Sequence, residues 1–156
     1  MSKSKASAGP RYQALLQLLR TSEALWNSSR IFFSKWDISP SQFNVLNVLV
    51  EQPEGLTQIE LSRLLIMHRS NVTGLVDRLE DRKLIQRKDN PNDRRAYRVV
   101  LTPTGRKLVE KILPAYYEAA EQIWGDFPVK KTKELVEGLE RLSENVEKFS
   151  ATLGEK

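Results

Sequence analysis

The 156-residue chain contains no cysteine and a single histidine, His68. Without cysteine there is no disulfide framework, no thiol nucleophile, no thiol redox sensor and no thiolate-ligated zinc or iron–sulfur centre. One histidine excludes a multi-histidine metal site within one chain, and a Ser/His triad would have to recruit His68. No metal or other cofactor is expected. Long apolar runs are missing too: stretches such as Val48 to Val50 are short, far below the roughly 18 residues of a membrane span. A soluble protein with no membrane partner is therefore expected. Residues 1–10 carry Lys3 and Lys5 among Ser, Ala and Gly with no apolar segment behind them. They read as a flexible tail and not as a signal peptide, which makes a cytoplasmic location the default.

What is present is ordinary in amount and uneven in placement. Apolar residues make up 40% and charged residues 29%, which fits a single folded domain over 11–156. The net charge is +5, and its excess is local. Eleven Lys and Arg but only five Asp and Glu lie between His68 and Lys107, while the rest of the chain is nearly neutral. A positive excess gathered in one quarter of the chain is the footprint of a polyanion binder.

Periodicity and caps divide the chain into helices and a hairpin. A first helix is expected from about Tyr12 to Trp36, with a heptad seam through Leu15, Leu18, Ser22, Leu25, Ser29, Phe32 and Trp36. A second stripe at Leu19, Trp26 and Phe33 gives it more apolar surface than one partner needs. Two capping boxes follow, Ser39 with Gln42 and Pro40, then Thr57 with Glu60. A third helix over about Gln58 to Ile66 runs directly into a fourth with apolar Val72, Leu75, Val76 and Leu79, making a helix-turn-helix. The outward positions of the fourth helix are Arg69, Ser70, Thr73, Asp77 and Arg78, groups able to meet base edges and phosphates. Strand-like Leu84 to Lys88 and Tyr97 to Leu101 flank the turn formers Asp89 to Asp93, with Arg94 and Arg95 at the hairpin tip. Such arginines suit a narrow minor groove, a surface pair with Asp93, or both if Asp93 orients one of them. Thr102 and Pro103 open a fifth helix reaching about Gly125, which Pro114 should kink. A sixth, Val129 to Leu153, carries an a/d seam of Leu135, Leu139, Leu142, Val146, Phe149 and Leu153.

This order of elements, with the text NVTGLVDRLEDRKLIQRKDNPNDRRAYRVVLTPTGRKL, resembles the MarR family of dimeric winged-helix regulators. Asp93-Arg94-Arg95 and the Leu101-Thr102-Pro103-Thr104-Gly105 junction carry the likeness most specifically. The resemblance implies a mainly α fold with a small β-wing. A winged helix-turn-helix lobe would occupy 39–102, and dimerisation helices would occupy 11–36 and 103–153. It also implies that the helix from His68 to about Arg82 lies in the major groove, that Arg95 enters the minor groove, and that Thr57 and Gln58 touch phosphate. The expected DNA contacts are then Thr57, Gln58, Arg69, Ser70, Asn71, Thr73, Arg78, Asp93, Arg94 and Arg95. The expected dimer contacts are Leu15, Leu18, Leu135, Leu139, Leu142, Val146 and Phe149.

Three positions depart from the family pattern. Gly74 stands where many relatives carry Arg, Lys83 where a helix-ending Gly is usual, and His68 near the expected N-cap, so that Ser70 is an alternative cap.

The expectation is a repressor that binds a pseudo-palindromic duplex as a homodimer and is not an enzyme. A winged helix that binds protein is the alternative. Catalysis by Asp77, Glu80 and Asp81 is disfavoured, because neighbouring acids on a helix face are usually just solvated. For control, the resemblance points to a small aromatic or anionic ligand near Trp26, Arg30, Phe33 and His68, although aromatics at that spacing more often form core.

Overall fold

A computed structural model describes residues 9–65, 69–91, 93 and 95–154. The element order is α1 (Pro10–Ser34), α2 (Pro40–Val50), β1 (Leu56–Thr57), α3 (Gln58–Leu64), α4 (Arg69–Asp81), β2 (Ile85–Asp89), β3 (Tyr97–Leu101), α5 (Pro103–Trp124) and α6 (Val129–Gly154). Mostly helical with one small antiparallel sheet, it is the winged-helix class expected. Two compact units divide the chain, one ending at Ile112 and one beginning at Leu113.

In the first unit both anticipated capping boxes form. The Ser39 hydroxyl accepts the Gln42 N–H at 3.2 Å while Gln42 Oε1 accepts the Ser39 N–H at 2.9 Å. Each box satisfies two backbone donors that a helix start leaves orphaned. α1 stops at Ser34, two residues before the expected end, because Asp37 turns left-handed (φ 51°). The Ile38 N–H then returns to the Phe33 carbonyl and the Asp37 N–H to that of Ser34, a Schellman stop. α4 ends in the same way at Lys83 (φ 58°), with Leu84 N–H to Leu79 O at 3.0 Å and Lys83 N–H to Glu80 O at 2.7 Å. Lysine therefore adopts the conformation the sequence demanded of it, at a cost of roughly 1 kcal/mol.

The sheet order is β1-β3-β2, all antiparallel, with Leu56 opposite Val99 and Ile85 opposite Leu101. β1 has only two residues, too short for alternation to reveal. β2 is displaced by one residue from the expected span. The core lies beneath the sheet and the helix-turn-helix: Phe33, Phe43, Leu46, Leu49, Leu61, Val72, Val76, Leu79, Ile85, Val99 and Ile112 are all buried. α4 buries the four apolar positions the 3.6-residue period selected. Gly105 is needed where α5 starts, since a Cβ there would overlap the Leu84 carbonyl oxygen and come within 2.9 Å of Leu101 Cδ1.

In the second unit, α5 continues through Pro114 to Trp124 as one helix. Gly125 (φ 55°) ends it, its N–H on Glu121 O at 2.9 Å, and the Trp124 and Phe127 rings meet at 5.5 Å. Among the described residues α6 buries no side chain, and Leu142, Val146, Phe149 and Leu153 are exposed. No helix among the described residues is long and apolar enough to cross a membrane.

Candidate nucleic-acid interface

Three elements of the first unit frame the candidate interface: the start of α3, the outer face of α4 and the hairpin tip. At α3, Thr57 is the N-cap. Its N–H donates to Glu60 Oε2 at 2.7 Å, its hydroxyl donates to the same oxygen at 2.9 Å, and that hydroxyl oxygen accepts the Glu60 N–H at 3.3 Å. The backbone N–H of Thr57, then its hydroxyl, holds the Glu60 carboxyl below its ordinary value. Both Thr57 donors are committed to Glu60, which makes Thr57 the α3 N-cap. Gln58, one residue on, accepts the Thr73 hydroxyl at Oε1 over 3.0 Å. Its NH2 group is then what Gln58 can offer an anion, and the bond ties α3 to α4 across the turn.

On α4, Asn71 and Arg78 are exposed and Thr73 is half-buried. Gly74 faces open space: a Cβ there would meet only Arg78 Nη1, at 3.6 Å. α4 begins at Arg69, which places Ser70 inside its first turn and not at the cap. His68 and Arg94 lie outside the described residues, as do the side chains of Arg69 and Ser70.

At the hairpin tip Asp93 Oδ1 accepts the Arg95 backbone N–H at 2.9 Å and faces Arg95 Nε at 3.4 Å. The Arg95 side chain nevertheless remains 93% exposed. Asp93 thus orients the arginine without covering it, and a pair so exposed adds little stability. Arg95 lines a notch of about 130 Å³ with Thr57, Gln58, Ile59, Ala96 and Tyr97. The wing arginine and the α3 N-terminus, 37 or more positions apart in sequence, therefore share one concave surface that an anion could enter.

Asp77 and Glu80, although partly exposed, are both engaged in ion pairs. Both pair with the guanidinium of Arg87 on β2, Asp77 through Oδ1 and Glu80 through Oε2, and Glu80 Oε1 also accepts the Arg87 backbone N–H at 2.8 Å. The Asp77 hydrogen bond first, opposed by burial and aided by Glu80, raises the pKa of Arg87. Arg98 was also missed: it donates to the carbonyls of Glu54 at 2.8 Å and Gly55 at 2.6 Å, fixing the loop before β1. An acid pair three apart on a helix, followed by an arginine on the next strand, was the available signal for the Arg87 cluster.

Of the residues expected to hold a ligand, Trp26, Arg30 and Phe33 are described and His68 is not. Phe33 is 2% exposed and stacks on Phe43 at 4.5 Å, so it belongs to the core and offers no surface. Trp26 is half exposed. Arg30 does border a cavity of about 300 Å³, together with Ser34, Asp37, Ile38, Ser39, Pro40 and Gln42. Among the described residues, no cluster of three or more His, Asp and Glu could hold a metal ion.

A sequence profile of the MarR family matches residues 36–96. The HTH-type transcriptional regulator PapX of Escherichia coli is 30% identical over 118 residues, covering 74% of this chain and 72% of the relative. The S. aureus MepR–DNA complex is similar in structure, with a TM-score of 0.76 and 24% identity over 86% of this chain and 97% of the other. Bordetella bronchiseptica BpsR, whose structure is described as a mechanism for regulation of its DNA binding by 6-hydroxynicotinic acid, has a TM-score of 0.79 and 25% identity over 88% and 98%.

Proposed function

Since this chain belongs to the MarR family of DNA-binding transcriptional regulators, we propose that it works as a homodimeric repressor on a pseudo-palindromic duplex. The observation that carries this reading is the notch joining exposed Arg95 to the α3 N-terminus beside the polar face of α4. A fixed arginine can enter a minor groove while α4 lies in the adjacent major groove. Gln58 donates to phosphate, Thr73, Asn71 and Arg78 face base edges or backbone, and the local positive charge supplies sequence-independent affinity. Arg69, Ser70 and Arg94 belong to the same proposed contact set.

The dimer is supported by the uncovered seam of α6, where Leu135, Leu142, Val146 and Phe149 are exposed, and by Leu15 and Leu18 of α1. Apolar faces of that extent in one chain call for a partner, and a two-fold pair presents two reading heads to one side of a duplex. In this reading 39–102 is the DNA-binding lobe, 11–36 and 103–153 are the dimerisation helices, and the protein acts in the cytoplasm. Release by a small anion is the regulatory part of the proposal. Arg30 borders a cavity at the small end of ligand-site volumes, and the regulation described for BpsR supports an aromatic acid as its occupant. The test is titration of a mixed-sequence duplex at stepped salt concentrations. Affinity should fall linearly on logarithmic axes with a slope set by the number of phosphates neutralised; salt-independent or absent binding would contradict the proposal.

A further inference from the structure

Arg87 sits at the root of the wing, on β2, with its side chain only 25% exposed. Its guanidinium is shared between Asp77 and Glu80, one turn apart on α4, and its own backbone N–H is held by Glu80. Three bonds thus tie one strand residue to two successive turns of the helix proposed to read the major groove. The β2–β3 hairpin begins with Ile85 opposite Leu101, Arg87 lies two residues along β2 opposite Val99, and the tip at Arg95 is eight residues further on. A hairpin is pliable about its base, so whatever fixes the base fixes where the tip points.

We infer that Arg87 is a positioning residue for DNA recognition: clamped by Asp77 and Glu80, it sets the spacing between α4 and the wing arginine so that both grooves are met in register. This rests on the reading of α4 and the wing as DNA-contacting elements. Arg87 does not itself bind phosphate, because its charge is already committed to two carboxylates. Asp77 and Glu80 share the single positive charge of Arg87, so the cluster as a whole stays at about −1 instead of −2 beside the duplex.

The test turns on a sign. Asp77→Asn and Glu80→Gln keep side-chain shape and remove negative charge from a surface facing phosphate, so charge alone predicts tighter binding to every duplex. Positioning predicts the opposite for a duplex selected by the parent protein from a random library. Its affinity should fall between about threefold and a hundredfold, the range for residues within one ion-pair network. Binding to an unselected duplex should be unchanged or tighter. Arg87→Lys, which keeps the charge but lacks the fork to hold two carboxylates, should lie between parent and Arg87→Ala. Equal tightening on both duplexes would overturn the inference, as would unchanged binding. Equal weakening on both, with the salt slope reduced by about one, would make Arg87 a direct phosphate contact and overturn it too. In the free protein, Asp77→Asn should speed amide exchange across β2 and β3 and leave α2 unchanged; no change in the wing would also refute the clamp. If the parent selects no sequence, the functional reading falls, and the exchange measurement still decides whether the clamp exists.

Discussion

Gly74 and Gly105 are both helical and should respond to the same added methyl group in opposite directions. At Gly74, in the interior of α4, a Cβ meets only the mobile end of Arg78 at 3.6 Å, an ordinary contact. Alanine there recovers the helix propensity glycine forfeits, about 1 kcal/mol, worth roughly 2–4 °C in melting temperature for a chain of this size. At Gly105, the third residue of α5, a Cβ overlaps the Leu84 backbone oxygen and crowds Leu101. The obstacle is backbone and cannot rotate away. The Thr102 hydroxyl, which accepts the Gly105 N–H at 3.0 Å and contacts the carbonyls of Lys83 and Leu84, holds α5 against that strand end. Overpacking of this kind costs about 1–3 kcal/mol, so the two alanine variants should differ by roughly 2–4 kcal/mol once the propensity gain is included. Thermal and urea unfolding followed by circular dichroism would measure it, at matched protein concentration because association shifts apparent stability. A Gly105→Ala protein as stable as the parent, or a destabilised Gly74→Ala, would refute this account of the two sites.

Arg95→Ala should weaken binding to selected and unselected duplexes alike and lower the salt slope by about one; titrations at four or more salt concentrations give the slope. Leu142→Glu, on the exposed seam of α6, should yield monomer or unfolded chain in sedimentation velocity at low micromolar concentration, where the parent should sediment as a dimer. The lowered pKa of Glu60 means its capping contribution is complete above the ordinary glutamate range and is lost as pH falls through the depressed value. The stability difference between parent and Glu60→Gln should therefore hold constant at neutral pH and shrink on acidification, as read from urea midpoints; a difference independent of pH down to 3 would contradict the capping box.

Much of this architecture was legible because local signals agreed with the global fold. The boxes Ser39/Gln42 and Thr57/Glu60, the α4 stripe and the turn formers of the wing each name an element through interactions within a few residues. Even the left-handed Lys83 could be anticipated, since the helix had to stop there without a glycine. What stayed hidden depends on partners distant in sequence. β1 is two residues paired with β3 across more than forty positions, and Asp37 turns left-handed where no glycine warns of it. Phe33 read as core more readily than as ligand wall, and Phe43 stacked on it at 4.5 Å places it there. Asp77 and Glu80 read as solvated acids because the pair is not matched to Arg87, ten and seven positions further on along the next strand.

The central claim is that two copies of this chain read one pseudo-palindromic duplex. Selection of bound sequences from a random double-stranded library, using the full-length parent protein, tests it most directly. The account predicts an enriched inverted repeat with half-sites about one helical turn, roughly 10 bp, apart. Recovery of no preferred sequence, or of a single half-site without its inverted copy, would contradict it.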